Sequence, residues 1–137
     1  MYKYREFKVG NNLNSQIILP IHEFNGTKEG LVLGITCTVH GDETFPAFFL
    51  KNFFEKLKEI KFEGKILATS VANSLAMSSF SRQTPEQHGK TDLHEVFPGS
   101  SSGNLTQRMA HAIKENILYK ADVVIDYHCG GSGGRLQ

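Results

Sequence analysis

Apolar positions along the chain follow two rhythms. Runs rich in β-branched residues at 4–9, 16–21, 31–39, 64–72 and 121–128 have the length and make-up of strands. A turn is expected at Gly10-Asn11-Asn12, and Pro20, which has no N–H for a ladder, places the second run at a sheet edge. Asn25-Gly26 carries a tight-hairpin signal. Residues 31–39 are apolar or β-branched almost throughout, as suits a strand buried on both faces.

From Thr44 the rhythm changes to threes and fours. Phe45, Phe49, Phe53, Leu57 and Ile60 mark one helical face, with Lys51, Glu55, Lys56, Lys58 and Glu59 on the other and Pro46 in the first turn. That aromatic stripe is read as core packing rather than as a pocket lining. A second helix is expected over 104–118, where Leu105, Met109, Ile113 and Ile117 recur. Between them, residues 74–102 are rich in Ser, Gly, Thr and Pro, and a loop of that length in a compact domain points to function. Phe80 and Phe97 are its expected anchors, and a glycine-rich tail follows residue 128. Strands alternating with helices predict an α/β fold, a three-layer αβα arrangement around a mostly parallel or mixed sheet.

With 137 residues there is enough chain for one domain, with no internal repeat or dividing linker. A hydrophobic fraction of 39%, a charged fraction of 21% and a net charge of +1 describe an ordinary globular composition and give no electrostatic case for nucleic acid or acidic membranes. No stretch approaches the roughly 20 apolar residues of a membrane span, and the first residues lack a signal-peptide core. A cytoplasmic protein with reduced Cys37 and Cys129 is expected, so the glycosylation patterns at Asn25 and Asn104 carry no weight.

Candidate chemistry gathers where two strands end. The run 31–39 stops at His40-Gly41-Asp42-Glu43, at the carboxyl end of a strand, where open α/β sheets build their sites. Gly41 lets the chain turn sharply, so an imidazole and a carboxylate three residues apart reach one small cation. The run 121–128 ends in another histidine, His128, which completes a candidate two-histidine, one-glutamate site for a single zinc ion. Asp126 shares a strand face with His128 and is a candidate orienting carboxylate. His22, His88 and His111 are read as non-functional, and Cys129 as a small buried hydrophobe.

Four blocks occur in order: His40-Gly41-Asp42-Glu43, Ser81-Arg82-Gln83-Thr84-Pro85, Asp92-Leu93-His94-Glu95-Val96-Phe97-Pro98-Gly99 and Asp126-Tyr127-His128-Cys129-Gly130-Gly131. In them the chain resembles the succinylglutamate desuccinylase/aspartoacylase branch of the zinc carboxypeptidase superfamily. The resemblance implies a zinc-carboxypeptidase-like fold and a zinc-dependent amide hydrolase of the N-acyl amino acid deacylase kind. It implies that His40, Glu43 and His128 ligate the metal, that Arg82 stabilises an oxyanion or holds a substrate carboxylate, and that Asp92 orients His40. Implied partners are a small N-acyl amino acid or short peptide, with no nucleic acid and no membrane.

Two departures follow. Where the family reads Asp-Leu-Asn-Arg before its Phe-Pro-Gly, this sequence has His94 and Glu95, and Glu95 repels the carboxylate that the family's pair grips. His94 is either an added substrate contact or a mark of lost specificity. The family's general-base glutamate lies later than Gln137, so residues 1–137 are expected to be the amino-terminal part of one catalytic domain, incomplete on its carboxyl side. An uncovered strand edge then predicts a homo-oligomer. A non-catalytic metal-binding or ligand-binding member of the fold and a peptide-cleaving metallocarboxypeptidase are the rival readings.

Overall fold

A computed structural model describes residues 1–12 and 14–132. The chain runs β1 (Tyr2–Asn12), β2 (Ser15–Asn25), β3 (Val32–Cys37), α1 (Phe45–Glu59), β4 (Lys65–Thr69), α2 (Ser74–Ser78), β5 (Thr84–Glu86), β6 (Gly89–Thr91), α3 (Leu105–Asn116) and β7 (Val123–Tyr127). One-turn 3-10 segments, Leu93–Val96 and Leu118–Lys120, stand on either side of α3. Five strands form one sheet in the order β1-β2-β4-β3-β7, and β5 and β6 pair separately. β3 is parallel to β4 and β7, whereas β2 is antiparallel to β1 and β4, so the sheet is mixed.

The two apolar clusters lie on opposite faces of this sheet. On one, Phe24, Ile35, Ile66 and Ala68 meet Leu50, Phe54 and Leu57 of α1. On the other, Ile17, Leu19 and Ile21 meet Met109, Ala110 and Ile113 of α3. This is the expected three-layer αβα fold. The two helices cover the sheet because strand side chains alternate between faces. Gly34 sits where α3 gives way to the next segment, and a Cβ there would stand 2.9 Å from Ala121 Cβ.

Several local expectations are corrected. β1 continues through Gly10-Asn11-Asn12 instead of turning, and the glycine marks a register shift between Lys8 and Gly10. Asn25-Gly26 makes no hairpin: Gly26 N–H donates to the Gly64 carbonyl at 2.9 Å, and the chain passes over β4 to reach β3. The hairpin is the one closing β1 on β2 between Asn12 and Ser15. Pro20 is not on an edge strand, because β2 lies between β1 and β4; within β2, β4 reaches His22–Asn25, so Pro20 lies on the stretch paired with β1.

In α1 the buried face is Pro46, Leu50, Phe54 and Leu57, while Phe45 is 71% and Phe49 45% exposed. Phe53 is half-buried and Ile60 is exposed, so of the expected stripe only Leu57 is fully in the core. The supposed loop at 74–102 contains α2, the β5–β6 hairpin and a 3-10 turn. Phe97 packs against the α3-side core as expected, but Phe80 is exposed. The glycine-rich tail from residue 133 lies outside the described residues. Among the described residues no helix is long and apolar enough to cross a membrane.

Candidate metal centre

The site forms where the parallel strands β3 and β7 end side by side, with Thr36 opposite Asp126 and Cys37 opposite Tyr127. Beyond β3, Thr38 takes a left-handed backbone (φ 55°) while fully buried, an uncommon state for a β-branched residue. Its hydroxyl donates to the Ser70 carbonyl at 3.3 Å, which helps hold the turn that swings His40 over the strand ends. Asn73 braces the same turn: its amide donates to the Val39 carbonyl at 3.2 Å and to Thr84 Oγ1 at 2.8 Å, and its oxygen caps α2. Gly41 is pressed against α2, where a Cβ would stand 1.9 Å from the Ala76 carbonyl carbon, and its N–H donates to the Ser81 carbonyl. No other residue fits there.

His40 and Glu43 are both buried. His40 Nδ1 lies 2.8 Å from Glu43 Oε1, and His128 Nδ1 lies 2.8 Å from Glu43 Oε2. One ligating atom from each of the three falls within 4.8 Å of the others. The sequence thus named three residues that the fold brings together across 85 positions. Two imidazole nitrogens facing two carboxylate oxygens require either shared protons or a cation. Two nitrogens and one carboxylate are a donor set suited to zinc with an open coordination position.

Each imidazole turns its other nitrogen to a carboxylate. His128 Nε2 is 2.9 Å from Asp126 Oδ2, and Asp126 Oδ1 accepts the Thr36 hydroxyl at 2.7 Å. His40 Nε2 is 3.3 Å from Asp92 Oδ1, in contact but without the alignment of a hydrogen bond. Outer carboxylates of this kind fix the tautomer and orientation of ligating histidines. Asp92 thus stands behind His40, the histidine the resemblance pairs it with, and Asp126 stands behind His128 on the strand face they share.

Asp92 also caps the 3-10 turn, accepting His94 N–H at 2.9 Å, and takes Arg82 Nε at 2.9 Å. Burial pushes its carboxyl pKa up, but the His94 N–H, the nearby His40 and the Arg82 guanidinium more than reverse this and hold it below the usual value. For His128, burial pulls the pKa down, and the hydrogen bonds and charges of Asp126 and Glu43 bring the net shift above the usual 6.5.

Arg82 reaches in from the rim. Its Nη1 lies 3.4 Å from His40 Nδ1 and 3.9 Å from Glu43 Oε1, and its side chain is 56% exposed. His94 is exposed, with its ring 5.9 Å from that of His40 and 6.0 Å from that of His128. Neither thiol joins the cluster as a ligand. Cys37 is buried beneath Ser70, and burial pushes its thiol up to about 12; Cys129 meets Glu43 through its backbone N–H. Sequence reasoning passed over Asn73, Thr36 and Asp42, whose contacts here are made across space.

The family model described as the succinylglutamate desuccinylase/aspartoacylase catalytic domain matches residues 29–136. An N-alpha-acetyl-L-2,4-diaminobutyric acid deacetylase from Halomonas elongata is 28% identical over 103 residues, covering 75% of this chain and 30% of its own length. Among solved structures, an aspartoacylase family protein from Mesorhizobium loti is 30% identical with a TM-score of 0.83, over 93% of this chain and 40% of that one. A succinylglutamate desuccinylase/aspartoacylase from Rhodobacter sphaeroides is 24% identical with a TM-score of 0.80, over 96% and 40%. The chain therefore spans less than half the length of these relatives. The family model covers most of the sequence, and the four motif blocks fold around one cluster: this chain belongs to the succinylglutamate desuccinylase/aspartoacylase family.

Proposed function

We propose that His40, Glu43 and His128 hold a zinc ion in an amide hydrolase that removes acyl groups from amino acids. The observation that carries this reading is the convergence of their ligand atoms within 4.8 Å, with a carboxylate behind each imidazole. When bound, zinc supplies a water of lowered pKa and polarises the scissile carbonyl. Arg82, tied to Asp92 and aimed at the cluster, offers a planar guanidinium to a developing oxyanion or a substrate carboxylate. Asp92 and Asp126 orient the two histidines, and His94 contacts the substrate at the rim. Residues 1–137 form the amino-terminal part of one catalytic domain, a reading supported by the 40% of each solved relative that they match, and the general base belongs to the remainder.

Glu95 stands next to His94 and is exposed. An acidic side chain disfavours an acidic amino-acid portion and suits a cationic one. The Halomonas relative is named for a diaminobutyric acid derivative, whose free amine is a cation of that kind. The test measures metal content and deacylation of N-acetyl-diaminobutyrate and N-acetyl-aspartate by the complete protein. Stoichiometric zinc, with turnover that Glu43→Ala abolishes and a preference for the cationic substrate, supports the proposal. Zinc without turnover across a wide amide panel leaves a metal-binding module, and no zinc at all overturns the reading.

A further inference from the structure

Two adjacent carboxylates on the 40–43 turn grip the loop that follows His128. Glu43 Oε2 accepts the N–H of Cys129 at 3.1 Å. Asp42 Oδ2 accepts both the N–H and the hydroxyl of Ser132, each at 3.0 Å. Between these anchor points Gly131 passes so near that a Cβ would stand 2.5 Å from Asp42 Oδ2. Asp42 and Ser132 are 90 positions apart, so no local turn chemistry accounts for the contact.

We infer that Asp42 is a positioning residue: its carboxylate clamps the 129–132 segment and thereby sets the pose of the His128 imidazole against Glu43. Two donors on one oxygen fix the segment in direction as well as distance, and hydrogen bonds to an ionised acceptor are roughly twice as strong as neutral ones. His128 is then constrained from both sides. Asp126 holds its ring from within β7, and Asp42 holds the chain just beyond it. A Cβ at position 131 would have to push the Asp42 carboxylate aside, so the clamp in this geometry requires glycine there. The consequence for metal binding rests on the zinc reading above, whereas the clamp itself does not.

The test uses the full chain as wild type, Asp42→Ala, Asp42→Asn and Gly131→Ala, with two readouts. These are amide hydrogen exchange at Ser132 in metal-free protein and zinc affinity by competition with a chromophoric chelator. Asp42→Ala is expected to speed Ser132 exchange about tenfold, as loss of one hydrogen bond does. It is expected to weaken zinc binding about 10–100-fold, the usual effect of removing an outer-sphere partner. Asp42→Asn, which keeps an acceptor oxygen, recovers most of both, and that rescue separates positioning from a general loss of fold. Gly131→Ala, which displaces the carboxylate, reproduces both defects even if Asp42→Ala does not fold. Unchanged Ser132 exchange and zinc affinity in folded Asp42→Ala or Gly131→Ala overturn the inference. Faster exchange in a protein whose wild type binds no zinc upholds the clamp and rejects the zinc reading.

Discussion

Gly41 leaves its neighbours no slack, since a single methyl there falls 1.9 Å from the Ala76 carbonyl carbon. Gly41→Ala is therefore expected to cost about 1–3 kcal/mol, as overpacking does, because either α2 or the 40–43 turn must move. A thermal melt with a zinc titration checks it, and both should fall together. His22 gives a residue-scale prediction far from the metal cluster. Its ring lies between the Tyr2 hydroxyl at 3.0 Å and Ser70 Oγ at 3.3 Å, against the Phe54 ring. Burial, then the charge of Lys58, lowers its pKa below the usual 6.5. Between that lowered value and 6.5 the unfolded chain binds more protons than the folded one, so stability rises with pH there and is lost as pH falls below 6.5. Urea midpoints at about pH 7.5 and 5.5 should differ more in wild type than in His22→Gln. At this scale the clustered His40, Glu43 and His128 were legible because a strand-like run ending in histidine is a local pattern, and the ordered blocks added Arg82 and Asp92. Thr36, Asp42 and Asn73 were not, because their partners lie 90, 90 and up to 34 positions away and no local spacing encodes them.

Among the elements, α1 shows where periodicity is ambiguous. Its sequence holds two apolar stripes one position apart, Phe45-Phe49-Phe53 and Pro46-Leu50-Phe54, and spacing alone cannot choose between them. The sheet chooses, because Phe24, Ile35 and Ile66 pack against the second. Leu50→Ala is expected to cost about 2–5 kcal/mol and Phe45→Ser less than about 0.5 kcal/mol, in denaturant melts. The start of α3 was easier to read. Asn104 accepts the Gln107 N–H at 2.9 Å and Gln107 returns the bond to the Asn104 N–H at 3.1 Å, a reciprocal cap. Asn104→Ala should lower stability by about 1 kcal/mol. Misreadings cluster instead at Asn25-Gly26 and Pro20, where the strand order decides which turn forms and which edge is free. A motif two residues long carries no information about strand order.

At the level of the whole molecule, the two sheet edges differ. β1 carries Lys3, Arg5 and Lys8, charges that discourage another strand from pairing. β7 offers Val123, Val124 and Ile125, exposed by 49%, 44% and 37%, beside the open aromatic side of α1. Association through this edge is the expected behaviour of the chain, read by light scattering, and Val124→Lys should reduce it. A clean monomer at high concentration removes the idea. The order of the sheet is also what joins the proposed ligands: Glu43 follows an interior strand, whereas His128 follows β7, which among the described residues pairs with β3 alone. An ion held by both would bridge groups 85 positions apart in the folded chain and release them on unfolding, so its binding free energy would add to the stability of the fold. At a free concentration about 100 times its dissociation constant it would add about 2.7 kcal/mol to stability, so chelation should loosen β7 before any other strand. The metal would then be a staple for the fold as well as a reagent.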